Sequence, residues 1–266
     1  MNVTAKLAAG ALLLATPMWV ATAAAPKKAA PHQPPPAAEN ALIDPEALRA
    51  VEASRAYLRT IKTAEIRAEM TIDDVEEDDV TLEMLNRARY VFQSPDKLFI
   101  EWSSDRAIRR LYFDGTTATL FSPRLGYYAQ KQEPGTVANM LIKAAENYGI
   151  VFPLPDIFVW AVKGGEPMNI RQAIVVGYAR IAGVDTDQYF FRQPDLDWQI
   201  WIERGDHPLP RKIVITTRGD PAKPRVSALL QWSVDPVIPD GTFTFVPPPG
   251  TTPVNLLALR NEEPKK

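Results

Sequence analysis

The chain has 266 residues, with 30 Lys and Arg against 32 Asp and Glu, two histidines and no cysteine. That length suits one large domain or two small ones. The near-balanced charge gives no general affinity for nucleic acid or anionic lipid, and the missing cysteine excludes disulfides and thiolate metal sites.

Residues 1–23 read as a cleaved signal peptide. Lys6 supplies the positive start, Leu7–Val20 the apolar core and Ala21-Thr22-Ala23 a small-x-small cleavage site. The apolar run is shorter than the ~20 residues a spanning helix needs, and Pro17 interrupts it. Without a cysteine the expected product carries no diacylglyceryl anchor. Its charge is 29 basic against 32 acidic residues, or −3. Residues 24–43 are rich in Pro, Ala and Lys and are expected to form a disordered lead-in.

Order is expected from Asp44, which can cap a helix beginning at Pro45, with Glu46 favouring the N-terminal dipole. Leu48, Val51, Leu58 and Ile61 form an apolar stripe at helical spacing, so the pattern predicts a helix from Pro45 to about Ile61. Alternating strand patterns follow. Ile66, Ala68, Met70 and Ile72 come first, then Val80, Leu82 and Met84, with Ala88, Tyr90 and Phe92 resuming that pattern. Leu98, Ile100 and Trp102 form the next set, and Ala107–Phe113, Thr117–Phe121 and Gly126–Gln130 continue the series. Their short, turn-rich links predict an antiparallel meander. The acidic run Asp73–Asp79 lacks the glycine of an EF-hand loop and reads as a solvated hairpin turn. Asp114-Gly115 is a hairpin signal.

The period then changes. Thr136 can cap a helix whose apolar face is Val137, Met140, Leu141, Ala144, Ala145 and Tyr148, and Gly149 can stop it. A second apolar segment, Ile157–Val162, follows Pro155-Asp156; its length fits a short helix or a strand. Strands resume at Ala173–Ile181 and Val184–Phe191. Next comes a long-looped hairpin, Trp198–Glu203 and Arg211–Thr217 around a Gly/Asp/Pro cluster. Trp198, Ile200 and Ile202 lie on one face of it, Gln199, Trp201 and Glu203 on the other. Arg225–Trp232 and a closing strand Thr242–Val246 complete the expected set, leaving 255–266 as a polar tail. No linker is visible after Asp44, so 44–254 is expected to be one α+β, mainly antiparallel domain.

Candidates for chemistry are few. A Ser-His-Asp or Cys-His site would have to use His207, because His32 lies in the lead-in. Multi-histidine zinc sites are unavailable, and no cofactor or metal site is expected. Asp185, Asp187, Asp195 and Asp197 could be imagined as paired carboxylates, but they sit at strand and turn positions typical of surface Asp. The densest basic cluster contains Arg106, Arg109 and Arg110, and its functional reading is a dock for an anionic headgroup or a partner.

Three segments carry a family resemblance. They are Pro95-Asp96-Lys97-Leu98-Phe99-Ile100-Glu101-Trp102, the Phe113–Pro123 hairpin, and Phe243-Thr244-Phe245-Val246-Pro247-Pro248-Pro249-Gly250. In this order they resemble the periplasmic lipoprotein-carrier superfamily typified by LolA and LolB. The Asp197–Glu203 run with Pro208–Lys212 is similar to a family of predicted periplasmic proteins of unknown function placed near those carriers. The resemblance implies a periplasmic protein with an open half-barrel, an N-terminal helix, and central helices lying as a lid over a cavity for acyl chains. The lid would be Thr136–Tyr148 and Ile157–Val162, with Gly149 and Gly164-Gly165 as hinge candidates. Met140, Leu141, Ile157, Phe158 and Trp160 would then face a wall of Leu98, Ile100, Trp102, Trp198 and Ile200. The implied function is carriage of a lipid, acyl chain or lipoprotein, without spanning a membrane. The alternative is an envelope sensor or interaction module that binds a protein partner; a hydrolase ranks last.

Overall fold

In the computed structural model the described residues are 42–76, 80–161 and 169–257. The expected signal peptide and most of the lead-in lie outside them, as do Glu77–Asp79, Val162, Gly164-Gly165 and the end of the tail.

Helix α1 spans Pro45–Thr60; the Asp44 carboxylate accepts the Glu46 N–H at 2.8 Å, so the expected cap forms. The buried stripe differs from the expected one. Leu48 is 37% exposed, whereas Ala47, Val51, Ser54, Arg55 and Leu58 turn inward. Arg55 pairs with Glu52 one turn earlier. Order also begins before Asp44. Leu42 and Ile43 run beside residue Ala173, with Ala173 N–H donating to Leu42 O and Asp44 N–H donating to Ala173 O. The last two residues assigned to the lead-in are therefore held beside Ala173 by the backbone hydrogen bonds of Leu42 and Asp44.

Among the described residues twelve strands form one sheet. In chain order they are β1 Thr63–Val75, β2 Thr81–Gln93, β3 Lys97–Ser104, β4 Ile108–Phe113, β5 Thr117–Ser122 and β6 Tyr127–Gln132. After α2 (Val137–Tyr148) and α3 (Asp156–Trp160) come β7 Gln172–Ile181, β8 Val184–Arg192, β9 Leu196–Glu203, β10 Pro210–Thr217, β11 Arg225–Val234 and β12 Thr252–Pro253. The spatial order is β12-β6-β5-β4-β3-β2-β1-β11-β10-β9-β8-β7. Neighbours pair antiparallel, except β12 with β6. The edge strands β12 and β7 do not pair with each other, so the sheet is an open half-barrel. Two meanders, β1–β6 and β7–β11, are joined where β1 pairs with β11.

Register explains the core. Trp232, Ile66, Tyr90, Ile100, Leu111, Leu120 and Ala129 stand directly opposite one another along a line across seven strands. Side chains opposite each other point to the same face, and this inner face carries the helices α1, α2 and α3. Ile66, Tyr90, Leu98, Ile100, Trp198 and Ile200 join residues of α1, α2 and α3 in one apolar cluster.

The expected closing strand Thr242–Val246 does not form. This segment is a succession of turns, with Thr242 N–H donating to Pro239 O and Thr244 N–H to Gly241 O. Prolines 247–249 lack the N–H a ladder needs. The segment instead crosses the outer face of the first meander. Phe243 packs with Val91 and Phe99, and the Phe245 ring lies 5.0–5.3 Å from those of Tyr112, Phe121 and Tyr128. Only then does the chain reach the sheet edge, as the two-residue β12.

Candidate functional site

The candidate site is the interface between the inner face and the two central helices. Thr136 caps α2 by accepting the Asn139 N–H, and Gly149 ends it in the left-handed conformation at φ 65°. The N-terminal end of α2 is tied to the sheet by backbone: Gly135 N–H donates to Gly115 O, and Val137 N–H donates to Pro95 O. Lys143 pairs with Glu133 beside it.

The segment from Gly149 to α3 is held mainly by apolar packing. Phe152, Leu154, Ile157, Phe158 and Trp160 are buried in the central cluster. Leu154 is kept at φ 52°, a left-handed conformation that costs a non-glycine residue energy, which the burial of its side chain offsets. The Phe158 ring sits 5.8 Å from Tyr90 and 5.6 Å, edge-on, from Phe92. Trp160 lies 5.3 Å from Trp198, which stacks on Phe191 at 4.1 Å. A polar link crosses this surface: the Tyr90 hydroxyl donates to Pro153 O at 2.7 Å. Burial holds the Tyr90 phenol far above its usual range, so it stays a donor. Asp156 opens α3. Part of the residue reaches the surface, yet desolvation pushes its carboxyl up to about 6, opposed more weakly by its own backbone N–H.

All ten residues expected to line the site come together. Leu98, Ile100, Met140, Leu141, Ile157, Phe158, Trp160, Trp198 and Ile200 belong to one buried cluster, with Trp102 packed half-buried against it. Of the segment Ile157–Val162, Ile157–Trp160 belong to a helix beginning at Asp156, and no side chain caps it. Val162 and the hinge candidates Gly164-Gly165 lie outside the described residues.

The basic cluster is not one surface. Arg106 pairs with Asp74 and Glu76 at the β1–β2 hairpin. Arg110 is on the outer face, 2.6 Å from Glu101. Arg109 is on the inner face, opposite Trp102. His207 is exposed and rests against Tyr57, 5.3 Å between rings. Asp197 is engaged by Arg192 and Arg218, and Asp187 by Arg204. Trp201 faces outward as its alternation requires but is buried, with the Lys212 ammonium over its ring at 4.9 Å.

Sequence reasoning missed three participants: Tyr90 as the polar tether, Asp156 as a desolvated acid, and Arg109 as an inward cation. The last was legible. Arg109, Leu111 and Phe113 alternate along one strand, so a core-facing Leu111 places Arg109 on the same side.

Residues 47–257 match the family model described as "Predicted periplasmic protein (DUF2092)". No curated protein matches the chain. Among solved structures, an uncharacterized conserved protein from Thermus thermophilus is 9% identical, with a TM-score of 0.45 over 79% of this chain and 99% of that one. LprF from Mycobacterium bovis is 13% identical, with a TM-score of 0.44 over 75% and 98%. The LolA superfamily protein NE2245 from Nitrosomonas europaea is 8% identical, with a TM-score of 0.36 over 75% and 97%.

Proposed function

The chain belongs to the DUF2092 family of predicted periplasmic proteins, and from that premise we propose that it is a carrier or binding protein holding an apolar or acylated ligand between the inner face and α2–α3. One observation carries this reading. The lid meets the wall through exchangeable apolar contacts, Met140, Leu141, Ile157, Phe158 and Trp160 against Leu98, Ile100, Trp198 and Ile200. Among the described residues, the side-chain hydrogen bond joining 149–161 to the sheet is the single one from Tyr90.

An acyl chain can replace such contacts at little net cost. Buried apolar area contributes about 25 cal/mol per Å² whichever partner covers it. A hydrogen-bonded interface would lose partners on opening; an apolar one regains its burial against the ligand. The helix α2, tied at its N-terminal end, is the pivot, and the Gly149–Pro155 connector with α3 is the part that lifts. In this reading residues 44–254 form one carrier domain, the signal segment 1–23 delivers it to the periplasm, and no cofactor is required.

The test is lipid uptake. Purified protein should release bound lipid on extraction, detectable by mass spectrometry, and the delipidated protein should take up a fluorescent fatty acid. Absence of both overturns the reading. Trp160→Ala should lower affinity about tenfold while costing less than the roughly 3–5 kcal/mol typical of truncating a core aromatic. The full stability loss with unchanged affinity would make Trp160 plain core.

A further inference from the structure

The inner face is apolar under the lid but not at its rim. Arg109 stands opposite Trp102 on β3, and its guanidinium donates to Ser122 Oγ at 3.0 Å and Ile108 O at 3.2 Å. Among the described residues no carboxylate lies within ion-pair distance of it. Register shows why. In strands β1–β6 the one acid that alternation turns inward is Asp74, and Arg106 occupies it. The acids Glu65, Glu69, Glu83 and Glu101 all face outward. Its neighbours Arg106 and Arg110 both have carboxylate partners.

The surroundings of Arg109 are chemically mixed. Ser122 and the half-exposed Tyr127 stand opposite each other beside it, adding hydroxyls. Trp102 and Leu111 border it with apolar surface that runs into the central cluster. This row is at the end of β3–β6 away from the turns where α2 is tied. A guanidinium with free donors and adjacent hydroxyls, at the open end of an apolar surface, matches a molecule with an anionic head and an apolar tail.

We propose that this rim binds the anionic headgroup of an amphiphile, a carboxylate or phosphate, with Arg109 as the anchor and the acyl chain running along the inner face beneath α2 and α3. The proposal rests on the carrier reading above and adds a ligand class to it. The planar fork of Arg109 can give two parallel hydrogen bonds to two oxygens of one anion. Partial desolvation by Trp102 strengthens them relative to open water.

The test titrates delipidated protein with oleate, oleyl alcohol and inorganic phosphate, at low and high salt. Oleate should bind about tenfold or more tightly than oleyl alcohol, the worth of one charge-assisted contact. High salt should narrow that gap, and phosphate should not displace oleate. Arg109→Gln should reduce oleate to the affinity of the alcohol and leave the alcohol unchanged. Arg109→Lys should keep a preference for oleate, and Arg110→Gln should alter neither ligand. Equal wild-type affinities, or an oleate advantage that survives Arg109→Gln, would overturn the headgroup site while leaving the carrier reading intact. Displacement by phosphate alone would overturn the amphiphile in favour of a free-anion site. Binding of no amphiphile would overturn both.

Discussion

The Tyr90 hydroxyl donates a 2.7 Å hydrogen bond to the Pro153 carbonyl, joining the centre of the sheet to the connector between α2 and α3. Tyr90 is 1% exposed and paired in register with Ile66 and Ile100. The donor end of the bond is therefore buried while Pro153 is half-buried, and losing the bond removes the one protein donor to that carbonyl among the described residues.

Tyr90→Phe keeps the ring contact with Phe158 and removes only that donor. The closed arrangement should lose about 1–2 kcal/mol. Hydrogen exchange of amides in 150–161 should quicken by roughly tenfold, with β1 and β2 unchanged, because the connector opens without the sheet. Uniform acceleration across the protein would show that the bond serves the whole fold and not the connector alone.

Asp156 makes the packing of α3 depend on pH. Its carboxyl rises from 3.8 to about 6 through desolvation. A raised acid favours the folded state in its neutral form, so its contribution is full below pH 3.8, is lost as pH rises toward 6, and is absent above. Asp156→Asn should therefore stabilise the protein at pH 7. The gain is at most about 3 kcal/mol, since each tenfold change in proton affinity is worth about 1.36 kcal/mol, and it shrinks progressively toward pH 4. Urea midpoints of both proteins across that range check it. A difference independent of pH would assign the effect to something other than ionisation.

The C-terminal segment 235–251 should matter for stability and not for the inner face. Phe245→Ala removes a half-buried ring from contact with Tyr112, Phe121 and Tyr128. The expected loss is about 2 kcal/mol, below the range for a fully buried Phe. Fatty-acid affinity should be unchanged, because these rings lie on the opposite face of the sheet from Leu111 and Leu120. Denaturation and binding on the one variant measure both.

What the sequence determined by itself was local. Asp44-Pro45 began α1 and Gly149 ended α2 because capping and left-handed stops act within one turn of the chain. Alternation separated Trp198, Ile200 and Ile202 from Gln199 and Glu203 because a strand reverses its side chains at every residue. Asp114-Gly115 turned as expected: the Asp114 carboxylate accepts the Thr116 and Thr117 N–H groups, and Gly115 sits at φ 98° where a Cβ would meet Asp96 Oδ2 at 2.9 Å.

The tertiary structure alone decided which distant surfaces met. Phe243 and Phe245 alternate like a strand, but their partners Phe99, Tyr112 and Phe121 stand far away in sequence and offer a face instead of an edge. Alternation cannot tell these apart, since both bury the same two rings. Arg106, Arg109 and Arg110 look like one charge cluster, yet Asp74 and Glu101 draw two of them into pairs on different surfaces. The pairing of β1 with β11, which joins Ala64 to Val234, closes a loop of most of the chain. No short-range pattern encodes that contact; it is the pairing through which both meanders share one buried inner face.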